Sequence, residues 1–409
     1  MPLSMWSQET APLPPDPEPL PAHADIVVIG GGIAGVSTAL WLARQGASTL
    51  LLEAGRVADR ASGRNDGQML LGLGEHYNRI VGQLGRDRAR LLWDYIQLNN
   101  AAMKQEIAAL DIDCGLRADG GLRLAETEHE MRELREAAAL LHEDGIAHRL
   151  IEHDAVRDAL PAAQGFFGAL HLPGEAIVQP VAMVRGFARA ARQAGARIVE
   201  GMRVVAVSRG ESGFTVTTAD GRRVRAEIVV HCTSTLAREL DDSGFLRAQV
   251  FPFRGQILAS EELSEELARQ FPHCAMSSHF CYEYFRMHGR RLVVGGMRWS
   301  VKGEQLGILD DDGHDERVSR NLLDWVARHF PGLRDKAFPT VWTGIMAGTN
   351  DALPLLGALP GRPGVFTLLG FNGYGLSFAF LAGRSLAEQI LTGTASHPAA
   401  GLFAPRRLS

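Results

Sequence analysis

The sequence contains little cysteine and no surplus of positive charge. It has only four cysteines among 409 residues, Cys114, Cys232, Cys274 and Cys281, and no two of them have the C-x-x-C spacing. A disulfide framework is therefore excluded, and reduced thiols in a cytoplasmic protein are expected. The formal net charge of −5 leaves no basic field over the protein, which argues against a nucleic-acid partner.

Long uninterrupted apolar segments are also missing. The uncharged runs 26–43 and 364–383 are long enough to suggest membrane spans, but each contains a cluster of glycines. A strand, a turn and a helix account better for each run, so we expect no integral membrane segment. Residues 1–24 are predicted to form a Pro-rich tail, because they lack the basic start and apolar centre of a signal peptide.

A metal site is not expected either. His273, Cys274, His279 and Cys281 lie close together in the sequence, and such side chains can bind zinc. Their spacing matches no zinc pattern, so we interpret them as strand or loop residues.

Glycine, by contrast, is abundant. There are 45 glycines in 409 residues, above the usual share of about 7%. This abundance predicts many tight turns or close approaches of the backbone. The chain is also longer than one ordinary core, which predicts two domains.

The most specific pattern begins at residue 25. Residues 25–44 predict a strand, a Gly-rich turn and a helix, and a second strand follows that ends at Glu53. Gly30, Gly32 and Gly35 have the spacing that lets a backbone approach a pyrophosphate, which the amide end of the helix stabilises. Glu53 is placed to accept hydrogen bonds from the ribose hydroxyls and to disfavour a 2′-phosphate. The residues predicted to contact the dinucleotide here are Gly30, Gly32, Ile33, Ala34, Gly35, Glu53 and Ala54.

Further along the chain, helical and strand patterns interleave. Helices are predicted at 77–110, 126–144, 180–193, 318–329 and 376–391. Strands are predicted as a pair around 115–124 and at 197–199, 204–208, 214–218, 222–225, 228–231, 254–258, 279–287, 291–296 and 365–370. A meander of short strands that crosses a parallel sheet is typical of FAD-binding folds and rare in plain NAD dehydrogenases.

Three separated motifs identify a family. The run Arg60-Ala-Ser-Gly-Arg-Asn-Asp-Gly-Gln68, the segment 342–357 and the closing Gly370-Phe-Asn-Gly-Tyr-Gly-Leu376 resemble the D-amino-acid oxidase superfamily of FAD enzymes. The resemblance covers nearly the whole chain from residue 25 to residue 390. It implies an α/β (α+β) fold, in which a Rossmann-like FAD-binding domain is interleaved with an antiparallel-sheet substrate domain. The implied boundaries are residues 25–76, 176–247 and 340–409 for the FAD-binding domain, and 77–175 and 248–339 for the substrate domain.

The resemblance also implies FAD and its contacts. Neither the histidine nor the cysteine that attaches flavin covalently in some relatives is matched here, so FAD is expected to be bound non-covalently. Val204 is expected to meet the adenine through its backbone, and the amides near the last helix to stabilise charge on the flavin. The further cofactor contacts expected are Ser62, Gly63, Arg64, Asn65, Gly67, Gln68, Thr233, Gly344, Gly370, Asn372, Gly373, Tyr374, Gly375 and Leu376.

One position departs from the family pattern. Asp66 stands where relatives usually have a second glycine after the asparagine. We expect its carboxylate to face solvent or to cap the local backbone. An effect on flavin reduction and the binding of a cationic amine are the alternatives.

The substrate contacts are expected on a strand near residue 284. Tyr284 and Arg286 lie two residues apart and should face the same side of that strand, where Arg286 could pair with a carboxylate. A surface strand with a solvated arginine is the plainer interpretation. His76 is a further candidate, and Arg254 matches a family segment that could instead serve the domain interface.

The implied function is oxidation of the C–N bond of a small-molecule amine or amino acid. A hydride passes to flavin N5, the imine is hydrolysed, and O2 or another acceptor removes the electrons. Two alternatives are a D-amino-acid dehydrogenase that passes electrons to a quinone, and a non-catalytic or RNA-modifying FAD-binding protein.

Overall fold

The computed structural model describes residues 3–72 and 74–409, and these residues form two eight-stranded sheets and a two-stranded ribbon. The strands are β1 His23–Ile29, β2 Thr49–Leu52, β3 Gln68–Met69, β4 Gly121–Ala125, β5 Arg149–Glu152, β6 Gly168–Leu172, β7 Ala176–Ile177, β8 Arg197–Val199, β9 Val204–Arg209, β10 Phe214–Thr218, β11 Arg223–His231, β12 Val250–Ala259, β13 Ala275–Ser278, β14 Glu283–His288, β15 Arg291–Gly295, β16 Thr340–Thr349, β17 Leu355–Ala358 and β18 Val365–Leu369. The α-helices are α1 Met5–Glu9, α2 Ile33–Arg44, α3 Ala61–Arg64, α4 Tyr77–Leu84, α5 Arg86–Ala109, α6 Glu128–Glu143, α7 Val156–Ala159, α8 Pro180–Gln193, α9 Ala237–Leu240, α10 Phe245–Gln249, α11 Glu265–Ala268, α12 Glu316–His329 and α13 Ala379–Thr392.

The first sheet has the order β17-β18-β11-β1-β2-β8, and β10 and β9 continue from β11 as an antiparallel meander. Its centre is parallel, and β1 is apolar on both faces because both faces are covered. Ile26 and Val28 face a core shared with α2, α8 and α13, whereas Val27 and Ile29 face the core under the meander.

The second sheet has the order β16-β12-β15-β14-β13-β4-β6-β5. One face covers a core that includes Phe285 on β14 and Trp325 on α12. The predicted mixed α/β fold class is confirmed, with one correction to this sheet. It is antiparallel except for β4 and β13, which pair in parallel.

The chain enters and leaves this part of the second sheet along one long antiparallel ladder. Strands β12 and β16 pair continuously from Val250 with Thr349 to Ala259 with Thr340. The chain therefore leaves the region of the first sheet and returns to it at the same end of the ladder, where Val250 pairs with Thr349. The predicted domain boundaries within this interleaved chain stay predictions.

Several predicted elements differ from the structure. The single helix expected at 77–110 is two helices, because Gly85 has φ +77° and interrupts it. The strands expected at 222–225 and 228–231 are one strand, β11. Instead of a strand pair around 115–124, β4 is present with one isolated bridge between Arg117 and Ile177.

The strand expected at 279–287 was also wrong in its first half. His279, Phe280 and Cys281 all have positive φ and form a turn before β14. At the C-terminal end, a 3-10 turn, Gly375–Ser377, precedes α13, which starts at Ala379 rather than at residue 376.

From residue 3 onward, the N-terminal residues pack against the rest of the fold. We call residues 3–22 the leader. Trp6 in α1 is fully buried, and Arg185 of α8 donates hydrogen bonds to the carbonyl oxygens of Thr10 and Ala11 at 2.8 and 3.1 Å. Arg197 continues this contact by pairing with Asp16 at 3.1 Å. Among the described residues, no helix has both the length and the apolar character needed to cross a bilayer.

Candidate functional site

The Gly-rich turn after β1 is shaped by close backbone contacts. Gly30 has φ +110°, and a Cβ added there would lie 2.6 Å from the carbonyl oxygen of Cys232. A Cβ on Gly35 would collide with the carbonyl oxygen of Gly30, so only glycine lets α2 pack this close to the sheet. The local geometry thus explains why residues 30 and 35 are glycines.

Ser62 brings a distant loop against the first turn of α2. Its Oγ accepts a hydrogen bond from the backbone N–H of Ile33 at 2.9 Å. A Cβ on Gly32 would lie 2.8 Å from the same oxygen. The loop and the amide end of the helix therefore form one continuous surface, on which an anion is favoured by the helix dipole.

Glu53 at the end of β2 is held beside the same turn. Its two carboxylate oxygens accept hydrogen bonds from the N–H groups of Gly31 and Gly55 at 2.6 and 2.7 Å. Burial raises the pKa of Glu53, and these two N–H groups oppose that shift. The carboxylate is thus fixed at the carboxyl end of the sheet, where a ribose binds in dinucleotide folds.

Thr233 gives a direct test of whether a cofactor fits here. Among the described residues, its buried Oγ1 has no hydrogen-bond partner, and its backbone nitrogen lies 3.2 Å from where a Cβ on Gly30 would stand. A buried hydroxyl without a partner is costly unless a bound group satisfies it. With the glycines and Glu53, it fits the adenosine diphosphate half of a dinucleotide. Val204 begins β9, and its contact with adenine stays a prediction.

The loop that follows α3 is shaped by Asn65. Its Nδ2 donates to the carbonyl oxygens of Ala61 and Ser62 at 2.9 and 3.0 Å, and its Oδ1 accepts from the N–H of Gly67 at 2.8 Å. These bonds fold the loop on itself. Gly67 has no room for a side chain, because a Cβ there would collide with the carbonyl oxygen of Val178.

Arg64 ties this loop to the second sheet. Its buried guanidinium donates to the carbonyl oxygens of Asp59 and Thr343 at 2.9 and 2.7 Å. A Cβ on Gly344 would lie 3.1 Å from the Cβ of Arg64, so these two predicted cofactor residues are brought together.

Asp66 is buried, with 8% of its surface exposed, so the expectation of solvent exposure was wrong. Its carboxylate accepts from the side chain of Gln68 at 2.6 Å and from the backbone N–H of Gln68 at 3.4 Å, which is the expected local cap. Burial raises the pKa of Asp66, and the charge of Arg286 opposes that shift. Gln68 also donates to the carbonyl oxygens of Met276 and Phe285, both at 3.1 Å.

Arg286 faces this loop from β14 and is buried, not solvated. Its Nη1 donates to the carbonyl oxygens of Val178 and Asp66 at 2.6 and 3.2 Å, and its Nε donates to that of Met287 at 3.2 Å. Burial lowers the pKa of Arg286 to about 10, so it remains cationic at neutral pH. Its role in binding a substrate carboxylate stays a prediction.

Tyr284 shares that face of β14, whereas Phe285 between them points into the opposite core. The ring of Tyr284 lies across Gly295 on β15, where an added Cβ would collide with the ring. A Cβ on Gly255 of β12 would lie 3.6 Å from its hydroxyl. Glycines on neighbouring strands thus make room for the ring, and burial raises the pKa of Tyr284.

His76 directly precedes α4, makes no side-chain capping bond to it and is buried, with 3% of its surface exposed. Burial, with the charges of Arg123 and Arg79, lowers the pKa of His76 to about 3. The ring is therefore neutral at working pH. Its Nδ1 has no partner among the described residues, and its contact with substrate stays a prediction.

The last motif forms a tight turn after β18. Asn372, with φ +54°, accepts from the N–H of Thr349 at 3.0 Å and donates to the carbonyl oxygen of Gly370 at 2.9 Å. Tyr374 lies directly against Gly74, where a Cβ would collide with its ring. Leu376 accepts a hydrogen bond from Asn99 at 2.9 Å.

A buried ion pair beside this turn was missed by the sequence analysis. Arg123 on β4 pairs with Glu175 at 2.8 Å, and each side chain is no more than 2% exposed. Arg123 also donates to the carbonyl oxygen of Glu75, and Glu175 accepts from the N–H of Leu71, both at 3.0 Å. A charge inside the apolar strand Gly121–Ala125 was the one available signal.

Two further groups have structural contacts. Arg254 donates to Gln305 at 2.9 and 2.6 Å. His279 bonds to Glu283 at 3.0 Å.

Among the described residues, the one group of three side chains spaced to hold a metal ion is His23, Asp25 and Glu227, all exposed.

This arrangement agrees with a comparison against known families. The family model described as FAD dependent oxidoreductase matches residues 25–389. The chain belongs to this family. The predicted family and its cofactor, FAD, are thereby confirmed, and the glycines, Glu53 and Thr233 are the residues that would hold its adenosine diphosphate half.

Two curated relatives are similar over most of the chain. Gamma-glutamylputrescine oxidoreductase from Escherichia coli is 29% identical over 369 residues, which cover 89% of this chain and 83% of the relative. Glycine oxidase from Bacillus licheniformis is 28% identical over 379 residues, which cover 90% and 93% of the two chains.

The fold is likewise shared with a solved structure. L-Proline dehydrogenase from P. horikoshii superposes with a TM-score of 0.80 at 20% identity, covering 95% of this chain and 98% of that one.

Proposed function

We propose that this FAD-dependent oxidoreductase oxidises the C–N bond of an amine or amino acid to an imine, which water hydrolyses to a carbonyl compound. Family membership and the relatives that act on amines and amino acids support the general reaction. Bound FAD supplies the hydride acceptor, and we propose that it is held non-covalently.

The observation that carries the proposal is the wall facing the Gly373 turn. Met346 Sδ and Phe253 Cζ lie 3.6 and 4.0 Å from where a Cβ on Gly373 would stand. Met346 also lies against Gly255, next to Tyr284. The three side chains of this wall, Met346, Phe253 and Tyr284, are therefore apolar apart from the Tyr284 hydroxyl.

Such a wall suits an amine that must lose its proton before it is oxidised. An apolar surface favours the neutral amine over the ammonium ion, because burial of the charge is costly. The Tyr284 hydroxyl provides one hydrogen bond that can orient the amine. We therefore assign Tyr284 a positioning role, in a site whose other groups exclude water.

For the substrate we propose a secondary or terminal amine that carries a distal carboxylate. The similarity to gamma-glutamylputrescine oxidoreductase supports this class. Arg286 is the predicted partner of that carboxylate, but its Nη1 and Nε already donate to the main chain. Arg298 is better placed, because it lies over the Phe253 ring at 5.1 Å and its contacts with the carbonyl oxygen and carboxylate of Glu304 are long, at 3.3 and 3.4 Å.

The test is an anaerobic panel of amines and amino acids, including both enantiomers, mixed with the purified yellow protein. A substrate bleaches the flavin, and the colour moves into the supernatant on acid precipitation if FAD is non-covalent. Reoxidation by air, compared with a quinone or a dye, identifies the electron acceptor. If no member of the panel bleaches the flavin, the proposed reaction is wrong.

The wall itself is tested with Tyr284→Phe. This variant should raise KM for the best substrate about tenfold, the loss of one hydrogen bond, and leave FAD binding unchanged. Exposed Tyr282 provides the matched control, Tyr282→Phe. Equal KM values for the two variants would show that the Tyr284 hydroxyl does not contact the substrate.

A further inference from the structure

The leader touches the cofactor loop directly. Ser4 Oγ donates to the carbonyl oxygen of Gly63 at 2.6 Å, and the indole Nε1 of Trp6 donates to that of Asn65 at 2.7 Å. Both acceptors lie within loop 62–68, nearly sixty residues away in the sequence. Ser4 is 1% exposed and Trp6 is fully buried, so neither bond competes with water.

The leader is also anchored independently of that loop. Gln179, which caps α8, donates to the carbonyl oxygen of Trp6 at 2.9 Å and to Thr10 Oγ1 at 2.6 Å. The guanidinium of Arg286 lies 5.3 Å from the centre of the Trp6 ring. Helix α8 and the second sheet therefore fix the position of Trp6. The hydrogen bond from Trp6 to Asn65 in turn holds the loop in place.

We propose that residues 4–10, here called the strap, are a functional part of the FAD site that holds loop 62–68 in its cofactor-binding shape. The strap contributes hydrogen-bond donors from Ser4 and Trp6. This role does not depend on which substrate the enzyme oxidises.

The geometry of the peptide bond gives the physical reason. In a planar trans peptide, the carbonyl oxygen and the following N–H point to opposite sides. Fixing the carbonyl oxygens of Gly63 and Asn65 therefore also fixes the directions of the N–H groups that follow them, those of Arg64 and Asp66. The same loop carries Ser62, whose Oγ bonds to the first amide of α2. A short chain of contacts thus leads from the strap to the predicted pyrophosphate site.

The test is FAD affinity in the full-length chain. In the double variant Ser4→Ala/Trp6→Phe, an aromatic ring at residue 6 is kept, but both donors to the loop are lost. We expect the dissociation constant for FAD, titrated into the apoprotein by flavin fluorescence, to rise roughly ten- to a hundredfold, as for two lost hydrogen bonds. Glu18→Ala is the control, because Glu18 lies in the leader outside the strap, and its side chain is 70% exposed and pairs with Arg197 at 3.5 Å.

A second readout uses linkage. If the strap favours the FAD-binding shape of the loop, FAD must stabilise the docked strap by the same factor. Hydrogen–deuterium exchange of a peptide covering the strap should therefore slow when FAD is added to the wild-type apoprotein. The double variant should lose most of that protection.

The outcomes separate the strap from a general stabilising segment. Unchanged FAD affinity in the double variant would overturn the proposal, as would strap exchange that is identical with and without FAD. Loss of affinity accompanied by unfolding of the variant apoprotein at the titration temperature would also overturn it. Because both readouts use FAD alone, failure of the amine panel would leave the strap proposal standing.

Discussion

The two ends of the proposed FAD site are built in different ways. At the first sheet, glycines, backbone amides and one carboxylate form the site, and most of them lie within residues 30–53. At the second sheet, side chains from several strands form the wall, and Tyr284 and Met346 meet there although they are far apart in the sequence.

The difference also concerns charge. At the first end, the carboxylate of Glu53 is stabilised by the backbone N–H groups of Gly31 and Gly55. At the second end, the charges of Asp66, Arg286, Arg123 and Glu175 are buried and depend on partners from other elements. A local backbone motif survives many changes around it, whereas a network of buried charges depends on every member.

The substitution expected to disrupt the first end most strongly is Gly35→Ala. The added methyl group would collide with the carbonyl oxygen of Gly30, which is backbone and cannot turn away. We expect loss of FAD binding and a fall in the free energy of unfolding of about 3 kcal/mol or more. Urea unfolding and flavin absorbance measure the two effects.

The control for that variant is Gly82→Ala in α4, where nothing lies within 4 Å of an added Cβ. Removing a helical glycine there should stabilise the protein by up to about 1 kcal/mol. Normal FAD binding by Gly35→Ala would show that the first end tolerates more than its geometry indicates.

At the second end, Arg286→Leu should have nearly as large an effect. It leaves the carbonyl groups of Val178 and Asp66 without their donor and removes the positive charge that opposes the cost of burying the Asp66 carboxylate, which costs about 3–5 kcal/mol of unfolding free energy. Urea unfolding with Arg286→Lys as the comparison isolates the contribution of the charge. A cost below about 1 kcal/mol, as for a surface ion pair, would remove the contrast between the two ends.

A smaller effect follows from His76. Because the pKa of the folded-state ring is about 3, the unfolded chain binds one more proton between that value and the ordinary 6.5. Stability contributed by His76 is therefore complete above pH 6.5 and falls as the pH decreases towards 3, by at most about 1.4 kcal/mol per pH unit. His76→Gln should flatten this part of the stability curve.

Thermal unfolding between pH 4 and pH 7 measures that slope. His129, whose side chain is 63% exposed, provides the control variant His129→Gln. If the two variants change the slope equally, His76 is not the buried group that the structure describes.

The same contrast explains what could be predicted from the sequence. The turn at Gly30 and the position of Glu53 follow from local spacing, and the two-residue period placed Tyr284 and Arg286 on one face. The partners of Arg286 could not be predicted, because Val178 and Asp66 reach it only through tertiary packing. The turn at 279–281 was missed because its three left-handed residues include no glycine.

The N-terminal leader was missed for a similar reason. Its prolines and acids indicated a tail, and nothing near Trp6 in the sequence shows that Gln179 and Asn65 would surround it. The single polar signal at Arg123 was equally uninformative without its partner Glu175.

The ladder between β12 and β16 has a consequence for how such an enzyme can change. Because Val250 pairs with Thr349, the chain leaves for the second sheet and returns from it at neighbouring positions. Everything between those two residues is attached like an inserted module with adjacent ends, an arrangement that a host fold tolerates well. The strands that bear Phe253, Tyr284 and Met346 could thus be exchanged or reshaped while the nucleotide end keeps its geometry.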